Sequence, residues 1–334
     1  MPRIRIDRRR LLSASLGGLA GLAFAGRAGA QTRPRGKPVR ILVGFPPGQA
    51  TDVVARLLAE RLQARSGGAE SYIVENVPGQ GGSLALGQLA KATPDGSAMM
   101  LVHMSAVATN PHLYKSVPYD SLRDFETVGL VGDLPFVLVC NPALPVQSVA
   151  TLIDYAKANP DKLTNASSGN GTVSHLAMEE FKRKAGIKVT HIPYKGSAAG
   201  LTDVMSGNVS MALETAAAVR PLVQSGKLRA LAAGTSTRLP GLAEVPTLSE
   251  QGFPNFNAVT WLMLIYPAGT PKAIVQATYA DLDAVMRDPG IEQRLITIGA
   301  IPRRSASPEE ADAYLKAEFR SWGEVVRRNG VSLE

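Results

Sequence analysis

Val39-Arg-Ile-Leu-Val-Gly-Phe-Pro-Pro-Gly-Gln-Ala-Thr-Asp-Val-Val-Ala-Arg-Leu-Leu-Ala-Glu-Arg61 is the stretch that sets the fold. Residues 39–43 read as a buried strand, 44–48 as a Gly/Pro elbow, and the remainder as an amphipathic helix. Val53, Val54, Leu57, Leu58 and Leu62 fall on one face of a 3.6-residue period. Thr51 or Asp52 stands where an N-cap belongs. A strand that turns sharply into a helix aims free backbone N–H groups and the positive end of the helix dipole at one spot. That makes the elbow a candidate anion site.

The same device recurs along the chain. Residues 71–75 read as a strand, 78–82 as a Gly-rich elbow, and Ser83 as the N-cap of a helix to about residue 91; 93–96 is a turn and 99–103 a third strand. A second series opens with a strand at 136–140. It continues with helices at 149–158, 173–185, 198–206 and 216–225, strands at 163–166, 189–193, 209–214 and 228–233, and a third elbow at 167–172. This alternation predicts an α/β chain of two units with right-handed crossovers and mostly parallel sheets, binding ligands at the C-terminal ends of strands. Residues 239–256 are Pro/Gly-punctuated and irregular, and 259–266 form a long apolar strand in which Trp261 packs near the crossover between units. Pro271 at a first helical position opens a helix to about residue 287. Ser307 and Glu310 form a capping box for a last helix with Leu315, Phe319, Trp322 and Val326 on one stripe.

The 334 residues suffice for two domains with cores of their own. The net charge of +8 suggests nucleic acid, but residues 1–30 hold six arginines and one aspartate, leaving +3 for the rest. No Lys/Arg stripe elsewhere favours nucleic acid. The basic excess belongs to a targeting segment: Arg8-Arg9-Arg10-Leu11-Leu12, a moderately apolar run to Gly26, and a small-residue site at Ala28-Gly29-Ala30. Arg-Arg-x-Leu-Leu with a weakly apolar core resembles a twin-arginine export signal, an ordinary secretory signal being the alternative. Cleavage is expected after Ala30, giving a soluble exported protein. Gln31 rather than Cys comes after the cut, which argues against a lipid anchor. Cys140 is the only cysteine, so an intrachain disulfide is impossible, and its apolar strand marks it as a core thiol.

Read in order, several motifs resemble those of the periplasmic solute-binding proteins of tripartite tricarboxylate transporters, often called Bug receptors. The family pattern P-V-x-(apolar)-(apolar)-V-x-(F/Y)-P-P-G-G-x-x-D is close to residues 38–52, and V-E-N-x-P-G-A-G-G to Val74-Glu-Asn-Val-Pro-Gly-Gln-Gly-Gly82. Asn110-Pro-His-Leu-Tyr114, residues 118–125, 166–172 with His175-Leu176, His191-Ile-Pro-Tyr-Lys-Gly-Ser197, and residues 226–230, 245–247 and 267–272 continue the series. The resemblance implies a two-domain clamshell of the type II periplasmic-binding-protein fold. One domain spans residues 31–137 plus about 258–334, and the other about 138–257. It further implies a receptor, not an enzyme, that holds a small carboxylate (an organic acid or an acidic or amidated amino acid) for the membrane permease subunits. The receptor would act as a monomer without cofactor or metal.

Carried over residue by residue, the implied ligand loops are Phe45, Gly48, Gln49, Ala50, Thr51 and Asp52, then Gly79, Gln80, Gly81 and Gly82. The opposing domain supplies Ser168, Gly169, Thr172 and Glu214. Three positions depart from the pattern: Gln49-Ala50 replaces the second glycine and its successor, Gln80 replaces alanine, and Glu214 replaces the usual aspartate. Glu214 reads either as a solvated strand end or as a cleft-facing acid, and Asp52 as a dipole-stabilising or loop-bracing acid.

Two other functions stay open at this level: a receptor feeding a membrane sensor kinase, and an exported hydrolase using Ser168 or Ser174 with His175. Neighbours on a helix diverge by about 100°, so Ser174 and His175 cannot pair, and His175 is expected to pack or cap. No Gly-Lys-Ser/Thr, Gly-x-Gly-x-x-Gly or Gly-x-Ser-x-Gly motif is present, and the four histidines show no metal-ligand spacing.

Overall fold

The first lobe opens with β1 (Val39–Val43), α1 (Ala50–Arg65), β2 (Tyr72–Asn76), α2 (Ser83–Ala90) and β3 (Ala98–His103), in a computed structural model that describes residues 36–329. The signal segment at 1–30 and its cleavage site lie outside the described residues. A π-helical turn (Ser105–Thr109) and the short α3 (Asn110–Leu113) lead to β4 (Phe125–Cys140). The second lobe comprises α4 (Val149–Ala158), β5 (Thr164–Ser167), α5 (Val173–Ala185), β6 (Thr190–Pro193), α6 (Ser197–Ser206), β7 (Met211–Thr215), α7 (Ala216–Gln224) and β8 (Arg229–Ala233). The chain returns through β9 (Val259–Pro267) and ends with α8 (Lys272–Met286), α9 (Pro289–Ile298), β10 (Ile301–Pro302) and α10 (Pro308–Asn329).

Within each lobe the βαβ strands pair parallel, β1 with β2 and β3, and β5 with β6 and β7. The strands that join the lobes do not. β4 and β9 pair antiparallel from Phe125↔Pro267 to Pro135↔Val259, and beyond Pro135 β4 pairs antiparallel with β7 and β8. The sheets are therefore mixed rather than mostly parallel. The chain enters the second lobe along β4 and leaves along β9, and two strands laid side by side in opposite directions must run antiparallel. The first eleven residues of β4 escaped the sequence reading because Gly129, Gly132 and Asp133 interrupt its apolar run, and the register shifts at those glycines.

Local signals placed the helices they identified within a residue or two, with corrections at the caps, but missed α3 and α9. α1 starts at Ala50 with Gln49 as N-cap, so Thr51 and Asp52 lie inside the first turn. Val54, Leu57, Leu58 and Leu62 are buried, while Val53, one step round the helix, is 36% exposed. Gly82 rather than Ser83 is the N-cap of α2, and Pro271 precedes α8 instead of opening it. At α10 the Glu310 N–H donates to Ser307 Oγ (3.2 Å), but the Glu310 carboxylate accepts from Ala306, one residue earlier than a standard capping box. Trp261 is buried in β9 opposite Asp133, at the crossing, and its indole N–H donates to Glu318 (2.9 Å). None of the described helices is long and apolar enough to cross a membrane.

Candidate functional site

The first elbow is pinned by a buried acid. Asp52, 1% exposed, accepts from the Gly48 N–H (2.8 Å), Asn76 Nδ2 (2.9 Å) and Arg56 Nε (3.0 Å). Asn76 Nδ2 also donates to the Phe45 carbonyl (2.9 Å), which ties both ends of the elbow to the end of β2. Burial pushes the Asp52 carboxyl up, but the hydrogen bonds from Arg56, Gly48 and Asn76 outweigh it and hold the group below its ordinary value. Asp52 is thus an ionised brace behind the loop.

Elbows one and two touch through their backbones. A Cβ on Gly44 would fall 2.5 Å from the Gly82 Cα, so only glycine allows this approach. Gln80 adopts φ +46°, a left-handed conformation unusual for a residue with a side chain. Its carbonyl is held by Asn110, which is fully buried and donates Nδ2 to Gln80 O (2.7 Å) and Ser83 Oγ (2.8 Å). A Cβ on Gly171, in the opposite lobe, would meet Asn110 Oδ1 at 2.6 Å, and Thr109 Oγ1 donates to the Gly171 carbonyl (3.0 Å). Thr109 and Asn110 therefore join the second elbow to the third.

The third elbow rests on a second buried acid. Ser174 Oγ donates to Glu214 Oε1 (2.9 Å), accepts from the Ser168 N–H (3.4 Å), and the Thr215 N–H reaches Glu214 Oε2 (3.3 Å). Glu214 is 2% exposed, which removes the solvated-strand-end reading. Burial pushes its carboxyl up to about 7 against the opposing hydrogen bonds from Ser174 and Ser168. Thr172 caps α5, and its hydroxyl donates to the Gly169 carbonyl (2.7 Å).

These loops and the turn after β6 enclose a cleft of about 680 Å³. Of the sequence-derived site residues, Phe45, Gly79, Gln80, Gly81, Ser168 and Gly169 line it. Gly48, Gln49 and Ala50 instead line a separate groove of about 670 Å³ on the far side of the first elbow, between it and α6 and α7. Gln49 Oε1 lies 2.8 Å from where a Gly196 Cβ would stand, so this side chain meets the opposite lobe. Thr51, Asp52, Gly82, Thr172 and Glu214 line neither space and support the loops from behind. Sequence reasoning missed Tyr114, Asn170, Tyr194 and Lys195, which also line the cleft. Tyr114 and Tyr194-Lys195 fall inside motifs that carried the family resemblance, and that was their available signal. Lys195 is the one charged side chain among the residues that line the cleft.

The serine and histidine candidates do not form a catalytic pair. The Ser174 hydroxyl is committed to Glu214, and His175 Nδ1 accepts from the Gly171 N–H (3.3 Å), so the two do not form a nucleophile–base pair. Ser167 Oγ does meet His191 Nε2 at 2.6 Å, but burial, His175 and Lys182 push that imidazole down to about 3, far from a base poised near neutrality. Among the described residues no group of three His, Cys, Asp or Glu side chains could hold a metal ion. Cys140 is buried, and its thiol is pushed up to about 11 by that burial.

Residues 54–331 match the family described as tripartite tricarboxylate transporter family receptor. The chain belongs to that family. Protein BugT of Bordetella pertussis is 35% identical over 317 residues, which cover 95% of this chain and 96% of BugT. Among solved structures, R. palustris Rpa4515 with adipate has a TM-score of 0.85 at 34% identity, covering 89% of this chain and 98% of that one. The periplasmic binding protein BugD has a TM-score of 0.84 at 33% identity, with 90% and 100% covered. MatC from Rhodopseudomonas palustris with bound malate has a TM-score of 0.81 at 28% identity, with 87% and 99% covered. The resemblance read from the motifs is thereby borne out, as is the two-domain binding-protein fold. The family is one of receptors, and BugD is a periplasmic binding protein.

Proposed function

We propose that this receptor captures a small carboxylate in the cleft between its lobes and hands it to the membrane permease subunits of a tripartite tricarboxylate-type transporter. The observation that carries the reading is the convergence of three strand–helix elbows on one cleft whose lining holds no acidic side chain and a single lysine. Among the described residues, no hydrogen bond runs from the Gln80 or Gly81 N–H, both in the cleft wall, to a protein acceptor. Gln80, Gly81, Ser168 and Gly169 are the residues that contact the ligand in this reading. Asp52, Thr172 and Glu214 hold the loops in shape, and Gln49 meets the other lobe. The neighbours solved with adipate and with malate agree in ligand class.

Opening and closing would hinge on β4 and β9, near residues 135–136 and 258–259, where β4 exchanges β9 for β7 and β8. The chain would work in the periplasm as a monomer without enzymatic turnover, after export and removal of residues 1–30. A thermal-shift screen over mono-, di- and tricarboxylates and amino acids tests the reading. A ligand at 100 times its Kd stabilises by about 2.7 kcal/mol, and the absence of any carboxylate-dependent shift would overturn it. Gly81→Asp places a negative charge on the proposed anion nest, while Gly81→Asn tolerates the same left-handed φ of +57° without charge. Asp is expected to abolish binding and Asn to retain part of it; equal affinities would move the nest elsewhere.

A further inference from the structure

The third elbow is held from behind by two imidazoles that the ligand reading does not use. His175 on α5 and His191 on β6 stack face to face, with centroids 4.0 Å apart and planes 10° apart. His175 Nδ1 accepts from the Gly171 N–H (3.3 Å). His191 Nε2 meets Ser167 Oγ at 2.6 Å; that hydroxyl accepts from the Gly169 N–H (3.2 Å), and the Gly169 carbonyl at 3.3 Å is a longer, competing acceptor for its one proton. The two rings thus reach both ends of the loop that presents Ser168 and Gly169 to the cleft.

We propose that the stacked His175–His191 pair positions the third elbow for ligand, each ring acting as a neutral hydrogen-bond acceptor for one end of the loop. This rests on the carboxylate reading of the cleft above. The chemistry requires neutrality. Protonating His175 at Nδ1 replaces the lone pair facing Gly171 with a second N–H, and two imidazolium rings cannot stack at 4.0 Å without strong repulsion.

The surroundings favour the neutral pair. Burial dominates for both rings and lowers their pKa, His191 to about 3. On α5, Lys182 adds to that lowering, whereas Glu179, 4.0 Å from His175 Nε2, opposes it. Glu214 on β7 reaches the same loop through Ser174 and sets a separate titration. Falling pH therefore ends in a charged His175 and a released Gly171 N–H.

Four variants at pH 7.5 test this, with adipate and malate as probes and titration calorimetry as the readout. His175→Leu keeps the bulk but removes the acceptor, and is expected to weaken binding at least tenfold. His175→Asn puts a carbonyl oxygen where Nδ1 stands and is expected to recover most of that loss. His191→Gln, whose carbonyl mimics Nε2, gives the same rescue relative to His191→Leu. Below pH 6.5 the wild-type Kd is expected to rise with acid, and that limb to flatten in His175→Asn. Amide hydrogen exchange over residues 167–172 in ligand-free protein supplies a readout that needs no ligand. It is expected to quicken at least tenfold in His175→Leu and to return towards wild type in His175→Asn. If Asn rescues neither affinity nor protection, or Leu disturbs neither, the positioning role is overturned. If neither probe binds wild type while exchange shows this pattern, the carboxylate reading falls and the positioning role stands.

Discussion

Replacing Glu214 by glutamine isolates the charge of the buried acid under the third elbow. Its carboxyl titrates at about 7 rather than 4.5, and burial is the dominant cause. One pKa unit is about 1.4 kcal/mol, so a difference of this size corresponds to roughly 3 kcal/mol. The folded protein binds this proton more tightly than the unfolded chain does. The associated stability is therefore complete below about pH 4.5 and is lost as pH rises through about 7. Glutamine keeps the length of the side chain and an acceptor for Ser174, but has nothing to ionise. Urea melts of both proteins at pH 5, 6, 7 and 8 measure the effect, because a shift in midpoint at constant slope is a change in stability. Glu214→Gln is expected to gain about 2.5 kcal/mol on wild type between about pH 5 and pH 8. Parallel stability curves would refute the reasoning, since they would mean that Glu214 ionises as freely in the folded protein as in water.

Asp52→Ala removes the acceptor shared by Gly48, Asn76 and Arg56; stripping a buried, charge-assisted network of one partner is expected to cost about 1–3 kcal/mol in a urea melt, and an unchanged midpoint would deny Asp52 its bracing role. Gly171→Ala places a Cβ 2.6 Å from Asn110 Oδ1 where the lobes meet, at φ +75°. It is expected to weaken carboxylate binding by an order of magnitude in calorimetry while lowering stability by only about 1 kcal/mol, and full affinity would show that the lobes do not close through this contact.

The fold was mostly legible where local rules act alone, α9 with its Asp288 cap, Pro289 start and Gly299 stop being an exception. The strand–elbow–helix units around 39–65, 71–90 and 164–185 carry apolar period, turn glycines and helix starts in one short window, and each formed. The rest of what escaped is set by partners far along the chain. Residues 125–135 become strand because β9, more than a hundred residues later in the chain, lies alongside them and tolerates bulges at Gly129 and Gly132. The π-helical turn at Ser105–Thr109 and α3 exist to carry Thr109 and Asn110 between two elbows, a demand no local pattern announces.

At the site, the sequence picked out loops that line the cleft but not which of their residues face it. Strand–helix elbows are read from glycine and proline, and those residues mark where the chain turns without saying which side of the turn meets solvent. So Gln80 and Gly81 line the cleft, while Thr51 and Asp52, equally prominent in the motif, are buried behind it. The departures at 49 and 80 consequently have different physical meanings. Gln80 sits in the cleft wall in a left-handed conformation, its carbonyl held by Asn110. Gln49 lies outside the cleft against Gly196 of the opposite lobe, with its Oε1 buried and unpaired among the described residues. A buried acceptor without a donor opposes the contact that buries it, so in the carboxylate reading proposed above this glutamine would act on how readily the lobes approach rather than on which ligand they enclose.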